Sequence, residues 1–101
     1  MDLTIIWLDT AVHKLEAIFD FYKITENVTI AEKIVSSIVD ATLILSKQPN
    51  IGQVEPLLKN RKNQYRYLVF GNFKIIYWVD KPYVNIATVF DCRQNPIKLT
   101  V

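Results

Sequence analysis

Residues 65–91 read YRYLVFGNFKIIYWVDKPYVNIATVFD, and this stretch decides the fold. It contains three runs, about Tyr65–Phe70, Phe73–Asp80 and Tyr83–Asp91, rich in the β-branched and aromatic residues that suit a pleated, half-buried surface. Gly71-Asn72 sits between two phenylalanines, where glycine reaches positive φ without steric cost, so the first two runs form a hairpin. Lys81-Pro82 marks a second, less decisive turn. With two-residue turns, Phe70 pairs with Phe73, Tyr67 with Ile76 and Tyr65 with Trp78; beyond the next turn Val79 pairs with Val84, Tyr77 with Ile86 and Lys74 with Val89.

Side chains alternate along a strand, so this register sorts them into two faces. One face carries Leu68, Phe70, Phe73, Ile75, Tyr77, Val79, Val84, Ile86, Thr88 and Phe90, with Arg66 at its end. It is nearly all apolar and is where helices should pack. The other carries Tyr65, Tyr67, Val69, Lys74, Ile76, Trp78, Asn85, Ala87 and Val89, with Arg93 beyond the strand end. This mixed, aromatic and cationic face has no remaining element long enough to cover it fully. A partner-binding surface is the expectation there. A bulge at Gly71 would mix the two sets.

Upstream, Leu3 to Leu8 reads as a strand buried on both faces, and Asp9 or Thr10 offers an N-cap. Ala11, Val12, Leu15, Ile18, Phe19 and Tyr22 then recur at helical spacing until about Ile24. Thr29-Ile30-Ala31-Glu32 fits a capping box. The helix it opens should run to about Lys47, with Ile30, Ile34, Ile38, Ala41 and Leu45 inward, and stop before Gln48-Pro49. Asn50 to Gln64 reads as a connection holding Gly52, Pro56 and the basic run Lys59-Asn60-Arg61-Lys62. The order is β-α-α-β-β-β. A single α+β domain over residues 1–101 follows, a helical hairpin packed on one face of a mostly antiparallel four-stranded sheet.

Composition narrows the class further. Half of the 101 residues are hydrophobic, enough for one core, and two glycines and four prolines argue against disorder. The lone Cys92 cannot form an internal disulfide, and with no signal-peptide pattern a reducing cytoplasm is the expected compartment. No apolar run approaches the roughly 18–20 residues of a membrane span. Charge is uneven: residues 1–50 hold four Lys/Arg against seven Asp/Glu, net −3, and residues 51–101 hold eight against three, net +5. Either surface charge clusters without consequence, or the second half faces an acidic partner.

The element order, together with Leu45 to Gly52 as L-x-x-x-P-x-x-G, Tyr65-Arg66, Phe73 to Tyr77 and the closing Val89 to Pro96, resembles the RelE/ParE superfamily of toxins from type II toxin–antitoxin systems. The resemblance spans essentially the whole chain and lies nearer the ParE-like branch. It implies a growth-inhibiting, plasmid-stabilising toxin held inactive by a cognate antitoxin, whose partly disordered segment wraps the toxin. One branch of the superfamily cuts messenger RNA on the ribosome; another poisons DNA gyrase. A homodimer and a toxin–antitoxin hetero-oligomer are both open.

Chemistry helps to separate the branches. Cleaving RNA through its 2′-hydroxyl needs a base, an acid and cations for the phosphate. In the nuclease branch, lysines and arginines on the open face, and in its best-known form a tyrosine near the C-terminus, fill those roles. Here Tyr65 and Tyr67 stand where lysines would sit, and no tyrosine follows Tyr83. Were the chain a nuclease, Lys74, Arg93 and Arg66 would carry it; otherwise Tyr65, Tyr67, Lys74, Trp78 and Arg93 form a binding surface. Arg66, on the core side, suits a structural role, tying its strand to helix ends or acids. Lys59, Arg61 and Lys62 read as a solvated loop, or as a contact for nucleic acid or an acidic antitoxin segment. Gln53 follows Gly52 where many relatives carry arginine, and His13 reads as a solvated helix residue. Cys92, without a histidine or a second cysteine, makes neither a metal site nor a nucleophile, and no cofactor is implied. The balance favours an inhibitor that acts by binding.

Overall fold

The computed structural model describes residues 2–93, 98, 99 and 101. The chain runs through β1 (Thr4–Trp7), α1 (Asp9–Thr25), α2 (Val28–Ala41), β2 (Gln53–Val54), β3 (Arg66–Phe70), β4 (Phe73–Asp80) and β5 (Tyr83–Asp91), with 3-10 turns at Leu43–Ser46 and Pro56–Leu58. The sheet has five strands in the order β1-β5-β4-β3-β2. β1 runs parallel to β5 and every other pair is antiparallel. The fifth strand is β2, two residues in the segment expected to be a plain connection. It forms because Gln53 pairs with Tyr67 and Val54 with Arg66, capping the outer edge of β3.

Several local expectations change. β1 lies at a sheet edge with one neighbouring strand and is half-buried, not buried on both faces. Leu8 caps α1 without a side-chain bond, and Asp9 falls inside the first turn, where its charge meets the positive helix end. For α2 the cap is Asn27, whose side chain accepts a bond of 2.8 Å from the Ile30 N–H. Thr29 and Glu32 are inside the helix, so no capping box forms. The helix stops at Ala41, where the Thr42 hydroxyl bonds back to the Val39 carbonyl at 2.7 Å and the chain tightens into the 3-10 turn. Ala31, not Ile30, faces inward with Ile38, and Leu45 is buried from the 3-10 turn.

Both helices lie on one face of the sheet. Ala11, Ile38 and Leu45 meet Ile75, Tyr77, Val84, Ile86 and Val89 there, with Leu15, Ile18, Tyr22 and Ile34 around them. The turn at Gly71 has φ of +57° and joins Phe70 directly to Phe73, as its sequence required.

The register of the last pair departs from the expected one, and at a different place. Tyr77 pairs with Ile86 but the next rung joins Ile76 to Thr88, leaving Ala87 as the extra residue of a bulge. From there every side chain changes sides. Val89 pairs with Ile75 and enters the helix-side core, while Thr88 and Phe90 pair with Ile76 and Lys74 on the far face. Lys74 is thus opposite Phe90, not Val89. Tyr65 lies just before β3, with no partner at Trp78.

That far face is also better covered than expected. Leu58 from the second 3-10 turn and Leu99 from the chain end pack on Ile76 and Phe90, with Tyr65 and Tyr67 at the margin. Two short pieces suffice because a 3-10 turn and a single leucine fill the space beside one aromatic ring. A second, smaller core results.

Candidate functional site

Tyr77 is fully buried and points from β4 toward the segment that follows the helices. Its hydroxyl donates to the Pro49 carbonyl at 2.7 Å and accepts from the Gly52 N–H at 2.9 Å. Burial pushes the phenol's pKa up, partly offset by the Gly52 bond and the nearby Arg66 charge. Gly52 is required by closeness: a Cβ there would stand 2.5 Å from the Tyr77 hydroxyl and 2.7 Å from the Tyr67 carbonyl. Arg66 lies on the same side and donates to the Gly52 carbonyl at 2.8 Å and more weakly to the Asn50 carbonyl at 3.4 Å. The spacing from Leu45 through Pro49 to Gly52 is therefore a clasp: core leucine, carbonyl acceptor, close-approach glycine. Arg66 is part of it, although its contacts are those two carbonyls and, at 3.4 Å, the Gln64 side chain, and not helix ends or acids.

On the far face Lys74 donates to Glu55 Oε2 at 2.9 Å and lies over the Tyr67 ring, 4.3 Å from its centre. Glu55 is fully buried; its other oxygen accepts from the Leu57 N–H at 3.2 Å. A carboxylate in that position requires a countercharge, and Lys74 supplies it. Tyr67 donates to Gln53 Oε1 at 2.8 Å, so it too is engaged. Glu55 had no place in the sequence reading. The available signal was that it is the sole acidic residue between Asp40 and Asp80, in a stretch full of cations.

Arg93 is elsewhere. Its guanidinium makes two bonds to Asp91, 2.7 and 3.0 Å long, and its backbone N–H makes a third at 2.9 Å. These bonds hold the Asp91 carboxyl below its usual range and raise the guanidinium above its own. The pair lies at the mouth of a groove of about 300 Å³ between α1 and the ends of β4 and β5. Ala17, Ile18, Phe21, Tyr22, Phe73 and Val89 line it, and Lys14 stands at its rim with the Arg93–Asp91 pair. Phe21 remains 54% exposed, so the groove has an unsatisfied apolar wall. Helical spacing placed Tyr22 on the inner stripe of α1, but nothing in the spacing announced that Phe21 would border a cleft with β5.

The structure thus brings Tyr65, Tyr67 and Lys74 to one face and leaves Trp78, opposite Asn85, half-buried toward the other end of β4. Arg93 belongs to the groove on the helix side. His13 and Cys92 are exposed. Among the described residues no three His, Cys, Asp or Glu side chains gather as metal ligands, and no helix is long and apolar enough to cross a membrane. Gln94, Asn95 and Pro96 of the closing motif lie outside the described residues.

Residues 5–96 match the sequence model of the ParE toxin of type II toxin–antitoxin systems, parDE. The chain belongs to the ParE toxin family. Among solved structures, the chromosomal ParDE system from P. aeruginosa is similar at TM-score 0.73 and 24% identity, over 86% of this chain and 92% of that one. The RelBE2 toxin–antitoxin complex from Mycobacterium tuberculosis is similar at TM-score 0.63 and 18% identity, over 90% and 92%. At these identities both likenesses speak for the fold. No curated protein sequence matches the chain. For this ParE family member, the α+β arrangement of two helices on a mixed, mostly antiparallel sheet is the toxin fold.

Proposed function

We propose that this toxin arrests growth by binding an essential target, with DNA gyrase the candidate, and that a cognate antitoxin neutralises it in the cytoplasm. The observation that carries the binding mode is the employment of its cations. Arg66 is bonded to the Gly52 carbonyl, Lys74 to Glu55 and Arg93 to Asp91, in three separate places. RNA cleavage would need such groups to converge on one phosphate, with an acid and a base beside them. The ParE family match supports the gyrase branch over the ribosomal one.

For the antitoxin, the groove beside α1 is the best-suited receptor. Its aromatic walls suit the apolar side chains of an amphipathic segment, and Lys14, in neither of the ion pairs among the described residues, suits an acidic one. Purified toxin should inhibit supercoiling of relaxed plasmid by gyrase in a dose-dependent way. Unimpaired supercoiling at toxin excess would remove the gyrase assignment. Site-specific transcript cleavage on induction, mapped by primer extension, would replace it with a ribosome-dependent mRNA endonuclease.

A further inference from the structure

The loop after β2 contains the densest uncompensated charge in the described chain. Lys59, Arg61 and Lys62 are exposed, and the ion pairs among the described residues, Lys74 with Glu55 and Arg93 with Asp91, involve none of them. No acidic residue occurs between Glu55 and Asp80, and Glu55 is buried and already neutralised. The loop is also fixed in place. The Glu55 N–H bonds to the Tyr65 carbonyl at 2.8 Å and closes its ends, while Leu58, 2% exposed, anchors its start in the second core. The Arg61 N–H returns to the Leu58 carbonyl at 3.1 Å, which turns the basic residues outward. Between them is a hollow of about 200 Å³, lined by the three cations with Asn63, Gln64, Tyr65 and Val54.

We propose that this hollow is a phosphate-contacting site through which the toxin binds duplex DNA. The lining offers a guanidinium, two ammonium groups and two amides, all able to donate to phosphate oxygens. Its apolar lining is limited to Val54 and Tyr65, well short of what the aromatic groove beside α1 offers the side chains of a peptide. Duplex DNA carries a charge about every 1.7 Å of its axis, so a short basic loop meets several phosphates at once without rearrangement. Because the loop is tied at both ends, little ordering entropy opposes the contact. The site is distinct from the groove beside α1 and does not depend on the target being gyrase.

The test is fluorescence anisotropy of the full-length toxin with a random-sequence duplex oligonucleotide across a salt series. Wild type should bind at low salt. The triple variant Lys59→Gln/Arg61→Gln/Lys62→Gln should bind at least about tenfold more weakly, with a salt slope flatter by about 2–3, as three lost phosphate contacts require. All three side chains are exposed, so its melting temperature should equal that of wild type, and the charge-keeping variant Lys59→Arg/Arg61→Lys/Lys62→Arg should bind as wild type does. An absence of wild-type binding at low salt, or an unchanged slope in the triple variant, overturns the proposal. So does a triple variant that keeps DNA binding but loses binding to a poly-glutamate peptide. Gyrase inhibition is read separately: a toxin that binds DNA through this loop and leaves supercoiling intact retains the proposal and removes the gyrase assignment.

Discussion

A few side chains carry most of the structural burden. The Tyr77 hydroxyl satisfies both the Pro49 carbonyl and the Gly52 N–H, and removing it strands two backbone groups. Tyr77→Phe should lower unfolding free energy by about 2 kcal/mol in a urea titration, with little change in slope. Gly52→Ala should be worse, since the added methyl meets the Tyr67 backbone as well as the phenol. Lys74→Ala strips the buried Glu55 of its countercharge, and should cost about 3 kcal/mol, at the low end for a broken buried pair because Lys74 keeps some contact with water. Lys74→Met/Glu55→Gln should recover most of that loss. A Lys74→Ala toxin that is inactive is therefore informative only beside its measured stability. For Asp91 the Arg93 hydrogen bonds come first and lower its pKa, so the folded state favours the carboxylate. That contribution is present above the unfolded value near 3.9 and is lost as pH falls through the lower folded value. A carboxyl-carbon NMR titration should give a midpoint below about 3.9, rising toward it in Arg93→Gln.

At the scale of elements, the bulge in β5 does the most. Strands β4 and β5 begin and end where the hairpin signals place them, and the pairs nearest the second turn are the expected ones. One extra residue at Ala87 then changes the side of everything after it. The run Ala87-Thr88-Val89-Phe90 concealed this, because all four are compact or apolar and both faces there are buried, so either parity reads as acceptable. The bulge leaves a mark. The Thr88 hydroxyl is buried with no hydrogen-bond partner among the described residues. Thr88→Val keeps the shape and removes that cost, and should stabilise the fold by about 1 kcal/mol in thermal unfolding. An equal loss would show that the hydroxyl has found a partner.

Over the whole molecule, the uneven charge of the sequence resolves into separate uses. Part of the basic excess is internal: Lys74 neutralises Glu55, and Arg66 braces the clasp at Gly52. Of the remainder, Lys59, Arg61 and Lys62 share the basic loop, Arg93 stands at the groove mouth, and Lys81 and Lys98 are separate exposed charges. If the groove receives the antitoxin, Phe21→Ala and Arg93→Gln should each weaken the complex about tenfold by calorimetry, with the toxin's melting temperature little changed. Equal affinities would place the antitoxin elsewhere.

The sequence by itself determined the chain order of helices and long strands, the first hairpin and the family resemblance, because each rests on local periodicity or on turn chemistry that a few neighbouring residues specify. It also placed Arg66 on the helix side of the sheet, where the Asn50 and Gly52 carbonyls accept from it. Only the tertiary structure decided how the far face of the sheet is used. Glu55 folds back from 19 residues away to claim Lys74, and Leu58 and Leu99 arrive from separate segments to cover Ile76 and Phe90. Such long-range meetings leave no periodic trace, since the residues involved share a location and not a spacing. Part of a surface that alternation alone presents as open is for that reason a second core, while Val69 and Trp78 on the same face keep contact with water.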